Sequence, residues 1–245
     1  MSSTLTRRIH RLCLLGMLLG ASLLAAAGDK AHWQNPRYLV DSFVEIALHG
    51  EYSRTPNPVR KWTTPVKYHL IHRTTDKDLH TRLVATHFDH LAAITGLAIS
   101  PAKSQKDANF LIVLASENNL KDDLLTYFGW NSESKREAFF REAVCLATFT
   151  TNKDGTIVHA TAIIPVDRAR ARGALVSCIV EELTQVMGLP NDSVKVFPSV
   201  FNDLSTDAYL SGLDYLLLKM LYDSRVKTGM DEKPARSILQ TIAAE

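Results

Sequence analysis

Residues 178–192 constrain the chain more than any other stretch: Cys178-Ile-Val-Glu181-Glu182-Leu-Thr-Gln185-Val-Met-Gly188-Leu-Pro-Asn191-Asp192. The apolar residues predict a buried helix, run from about Arg172 to Met187, which Gly188 stops and polar residues follow. Yet this helix carries two adjacent carboxyl groups and an amide, and any of them that is buried needs partners. Adjacent helical residues diverge by about 100°, so Glu181 and Glu182 do not form an acid/base pair by themselves. Glu181 and Gln185, four apart, share a face, and Asn191 could approach them after the Gly188 turn.

The start of the chain predicts an export signal over residues 1–27. Arg7, Arg8 and Arg11 form a cationic beginning, Leu12 to Leu24 an apolar core, and Ala25-Ala26-Ala27 a small-residue cleavage site. The run is too short for a stable membrane span, so a periplasmic or secreted protein starting near Gly28 is expected. Cys13 lies near the start of the core, which leaves no Cys after it for lipidation, and Ile9-His10-Arg11 makes Arg7-Arg8 a poor twin-arginine match. The signal contains three Arg and no acid, so the mature chain has 25 basic against 26 acidic residues. A nearly neutral chain lacks the basic field that holds nucleic acid. Two cysteines remain, Cys145 and Cys178, and an even pair in an exported chain points to a disulfide.

Along residues 28–245, read as one domain, Leu39, Val40, Phe43, Ile46 and Ala47 predict a helix over Tyr38–His49. An extended loop over Glu51–Thr64 leads to a strand at Pro65–Ile71. A long helix over Asp76–Thr95 stops at Gly96; Leu97–Ser100 is a short apolar run, and Asn109–Ala115 a strand covered on both faces. Two short helices divide near Gly129, the second with Ser132 as N-cap. Val144–Thr150 and Thr156–Pro165 form a hairpin, and Asp167–Arg172 reads as a solvated charged connection. Helices follow at Tyr209–Asp223 and from Pro234.

Offsets in the central stretch resemble the metzincin frame His-Glu-x-x-His-x-x-Gly-x-x-His, with Glu181, Gln185 and Asn191 at the imidazole positions and Glu182 at the water-activating Glu. Arg60-Lys61-Trp62 before a strand and Leu210-Ser-Gly-Leu-Asp214 through Leu221-Tyr222 also resemble metzincin elements. The implied fold is α+β, a metzincin-like zincin domain whose mixed sheet has a hairpin packed on two long helices. Its core spans about 60–223, with a helical C-terminal tail. In such a fold the central helix lies beneath the hairpin, which would bring Cys145 and Cys178 within bridging range. The run Glu181 to Asp192, Phe201-Asn202-Asp203, Leu221-Tyr222-Asp223 and Gly229-Met230 further resembles a proteobacterial family of exported proteins known only as a domain of unknown function, its members often labelled lipoproteins. That resemblance implies that loss of the imidazoles is a family trait.

The three replaced imidazoles, and the absence of a Met between Asn191 and Lys219, predict no zinc and no other cofactor. Two uses of the frame stay open. Gln185 and Asn191 can donate as well as accept, and would satisfy Glu181 or Glu182 in a buried polar network. Alternatively Glu181, Gln185 and Asn191, joined by Asp192, Asn202 or Asp203, would hold a hard cation, or Glu182 would act as a base in peptidase-like hydrolysis. His80, His87 and His90 are a second candidate ligand face, set against a partly exposed amphipathic surface; His69, His72 and His159 read as surface or packing positions. Ser177 and Ser193 lack a nucleophile elbow. The function expected is binding or structure in the envelope, with an unknown protein or peptide as partner. A cleft beside the hairpin that takes an extended peptide as an added strand is implied by the zincin resemblance.

Overall fold

The computed structural model describes residues 31–50 and 56–245. The export signal over residues 1–27 and the start of the Glu51–Thr64 loop lie outside the described residues.

Five strands form one mixed sheet. β1 (Val66–His72), β2 (Ile99–Pro101), β3 (Phe110–Ala115) and β5 (Ile157–Pro165) run parallel, and β4 (Leu146–Thr151) lies antiparallel to β5 at an open edge, in the order β2-β1-β3-β5-β4. β3 sits in the middle, and its unbroken apolar run is buried on both faces, as a central parallel strand requires. The helices are α1 (Pro36–Phe43), α2 (Lys77–Thr95), α3 (Leu120–Phe128), α4 (Glu133–Glu142), α5 (Val166–Ala171), α6 (Leu175–Gln185), α7 (Gly212–Tyr222) and α8 (Glu232–Ala244). α2 covers one face, where Phe88 stacks on Tyr68 at 4.4 Å and meets Phe110 edge-on at 5.6 Å. On that side lies the main core, which α6 and α7 complete with Ile179, Leu183, Leu217 and Leu221. α3 and α4 cover part of the other face over Val113, Ala115 and Ile163.

Local chemistry explains most boundaries. Asn35 caps α1 by accepting from Arg37 N at 2.9 Å, and Ser132 caps α4 as expected. Ser211 and Asp214 form a reciprocal capping box on α7. Three expectations are corrected. Residues 167–172 are not a solvated connection: Val166 and Ala169 bury one side of α5, while Arg168 pairs with Glu117, and Arg170 with Asp76 at 2.7 Å. α6 begins at Leu175 rather than Arg172, because Gly173 takes φ +68 and ends α5. α8 starts at Glu232, with Pro234 still in the first turn, where no intrahelical partner awaits its missing N–H. α1 also continues into a π turn over Val44–Leu48, one residue per turn wider than an α-helix.

A short strap, Val59–Trp62, ties the distant pieces together. Val59 N donates to Met230 O at 2.8 Å and its carbonyl accepts Gly229 N at 2.8 Å. Lys61 donates through Nζ to the carbonyls of Leu221 (2.8 Å) and Val226 (2.6 Å) at the end of α7, while its carbonyl accepts Ile157 N at 3.0 Å. Trp62 is buried, and its Nε1 donates to Val186 O at 2.9 Å, just past α6.

Cys145 and Cys178 form a disulfide with Cα atoms 5.9 Å apart, joining the start of β4 to α6. It closes a loop whose ends are 33 residues apart, so replacing both cysteines with Ser should cost about 3–4 kcal/mol by chain entropy. Urea denaturation of wild type and variant under non-reducing conditions measures the difference; equal midpoints would refute it.

Candidate functional site

The frame residues lie where α6 runs beneath the hairpin and out into the long 188–211 loop. Glu182 faces inward, only 7% exposed, with the backbone N–H of Ala147 on β4 directed at its carboxyl. Its Oε2 is buried without a hydrogen-bond partner among the described residues. Burial first, then the charges of Glu181 and Asp192, hold the Glu182 carboxyl well above the usual carboxylate range. Glu181, partly buried, is pushed up to about 8 by burial and by the nearby Asp192 and Asp203. Glu181 is therefore mostly the neutral acid at pH 7, and Glu182 is biased the same way. Burial thus disfavours the ionised form of Glu182 that a general base needs to take a proton from water.

Neither amide satisfies these carboxyls. Gln185 donates through Nε2 to Asp192 Oδ1 at 2.8 Å. Asn191 is buried and turns to α1: its Nδ2 donates to the Glu45 carbonyl at 2.8 Å and its backbone N to the Ile46 carbonyl at 3.1 Å, both within the π turn. The amides expected to serve Glu181 and Glu182 are thus directed elsewhere: Gln185 to Asp192, and Asn191 to carbonyls that the π turn leaves open. Asn202 staples its own loop, donating to Val196 O at 2.9 Å and accepting Leu204 N at 2.9 Å. Asp203 is exposed and reaches the cluster by its charge alone. Among the described residues no three His, Cys, Asp or Glu side chains are grouped to hold a metal ion.

The histidines of α2 do not share a ligand face, and two of them are buried where a partly exposed surface was expected. His87 joins its Nε2 to Thr184 Oγ1 on α6 at 2.9 Å, and burial lowers it to about 4. His80 accepts from Arg170 of α5 through Nε2 at 3.2 Å, while His90 faces solvent. His87 is missed by period counting because a His at a core position looks the same as one on a polar face until its partner, here Thr184 nearly 100 residues on, is known.

Two carboxylates near the frame, the partly buried Glu45 and the buried Asp214, also escape a reading based on the frame itself. Glu45 gathers Ser193 Oγ (2.7 Å), Lys195 Nζ (3.0 Å) and His49 Nδ1 (3.1 Å), clamping the 188–211 loop to the π turn. Asp214 takes Ser199 Oγ at 2.6 Å and Val200 N at 3.1 Å besides its capping bonds, which fixes the far end of the same loop.

A family model described as a protein of unknown function, DUF2927, matches residues 36–241. The chain belongs to DUF2927. A search of curated proteins finds no match. In this DUF2927 domain several residues that carry the family resemblance have structural tasks at the strap: Tyr222 donates to Met187 O at 2.8 Å and accepts Trp62 N at 3.3 Å, while Gly229 and Met230 pair with Val59. Among the described residues no helix is long and apolar enough to cross a membrane.

Proposed function

We propose that this chain is an exported envelope protein with a metzincin-like framework, of proteobacterial type, that has lost the zinc chemistry and serves by binding or as a structural component. The order helix, strand, long helix, strands, hairpin and central helix supports the framework, and the disulfide that holds α6 beneath the hairpin agrees with it. The observation that carries the loss of zinc is the chemistry of two amides. Gln185 and Asn191, at two imidazole positions, are anchored through their NH2 groups to Asp192 and to the Glu45 carbonyl, which leaves only neutral amide oxygens where zinc takes imidazole nitrogen, thiolate or carboxylate. Glu182, buried and with its ionised form disfavoured, argues against the rival reading of a hydrolase that uses it as base. The open edge of β4 is where an extended peptide or protein partner would add as a strand.

Metal analysis of protein purified without chelator, alongside a broad peptidase assay at neutral pH, tests this. No stoichiometric zinc and no cleavage are expected. One zinc per chain, or turnover abolished by Glu182→Gln, would overturn it.

A further inference from the structure

The outer face of the hairpin, on the far side of the sheet from α6, carries a groove of about 510 Å³, within the range of small-ligand sites. Strand register builds it. Cys145 faces α6 through its disulfide, so by the two-residue alternation Thr148 and Thr150 point to the opposite face. Thr148 pairs with Thr161 and Thr150 with His159 across the two strands, giving a rectangle of four polar side chains, about 5 Å across the strands and about 7 Å along them. Tyr127, near the end of α3, walls one side, and Gln105 also lines the groove.

Two features separate this groove from an ordinary solvated strand face. Thr161, only 5% exposed, forms a recessed floor. Moreover the threonine hydroxyls, the Tyr127 phenol, the His159 imidazole and the Gln105 amide make no side-chain hydrogen bond among the described residues, so their donors and acceptors face the groove unspent. No Asp, Glu, Lys or Arg lines it, although 22% of the chain is charged. A phosphate, carboxylate or ammonium ligand would find no counter-charge there. What matches is a ligand with many hydroxyls, uncharged, with an apolar ring face for an aromatic wall.

We propose that this groove binds a neutral oligosaccharide. Hydroxyl, amide and imidazole groups each donate or accept according to the ligand, and a sugar's adjacent hydroxyls present both roles at short spacing. The site is independent of the frame around Glu182, and lies on the other face of the sheet from it.

Chemical-shift mapping of the purified full chain with chitotetraose, cellotetraose and, as an anionic control, tetragalacturonate tests the proposal at millimolar concentration. At least one neutral tetrasaccharide should perturb the groove residues. Binding of chitotetraose alone would identify an acetamido glycan, and of cellotetraose a plain glucan. The Thr148→Val/Thr150→Val variant keeps side-chain shape at exposed positions and should weaken binding at least about tenfold without lowering the melting temperature. Silence with both neutral probes, equal or better binding of tetragalacturonate, or an unaffected variant would each overturn it.

Discussion

Raising the pH from 6.5 to 8 should destabilise this domain by roughly 2 kcal/mol through Glu181, with Glu182 adding to the loss in the same direction. Glu181 has a folded-state pKa raised from 4.5 to about 8, so the folded chain holds a proton that the unfolded chain has released. Its stabilisation is complete below pH 4.5 and is lost as pH rises through that window; Glu182 acts in the same direction. His87 works oppositely: its folded-state pKa is lowered from 6.5 to about 4, so stability is gained as pH rises between those values. His72 and His80 lean the same way. Below pH 6.5 the two groups offset one another; above it the carboxyls dominate, opposed near pH 8 by Lys61, whose pKa burial lowers from 10.5 to about 8, so that it adds stability as pH rises. Thermal melts at pH 6.5 and 8 should therefore diverge in wild type and converge in Glu181→Gln/Glu182→Gln. A wild-type melting temperature equal at both pH values would show that these carboxyls are ionised and solvated.

Gly188→Ala should cost more than about 4 kcal/mol, enough to leave little folded protein. Gly188 sits at φ +113, and a Cβ there would lie 2.0 Å from the Arg60 carbonyl oxygen. That oxygen cannot move aside, because Arg60 lies in the strap between the Val59 and Lys61 bonds. Gly173→Ala provides the contrast. It also has a positive φ, +68, but nothing within 4 Å of the added Cβ, so only the conformational cost of about 1–2 kcal/mol applies. Denaturation midpoints of the two variants separate collision from conformation; similar losses would mean that the strap yields.

The sheet and its helices were legible because their evidence is local. The apolar run Asn109–Ala115, the turn residues 151–155 and the stops at Gly96 and Gly129 each specify an element within a few residues of themselves. The covering of α5 was not legible, since Arg168 and Arg170 read as solvated until Glu117 and Asp76 come beside them from other elements. At the candidate site the residue types were legible and their partners were not. Gln185 and Asn191 stand out by offset alone, but Gln185 meets Asp192 only through the path the chain takes after Gly188, and Asn191 meets the carbonyls of a π turn nearly 150 residues earlier, formed where Val44–Leu48 continues α1. Pattern reading predicts a helix there without its wider turn.

The two ends of the described domain close on each other. Arg236 of α8 donates to Asp41 of α1 at 2.6 Å, Tyr38 OH meets the Phe197 carbonyl at 2.9 Å, and Val59 waits for Gly229 and Met230. A chain that emerges from the ribosome amino end first can therefore assemble α2 and the parallel strands early, but its opening helix meets its first partners only with residues 191–197 and its partner α8 later still. Synthesis order thus holds the domain short of its final state until α8 has emerged, an interval in which chaperone capture meets an incomplete fold.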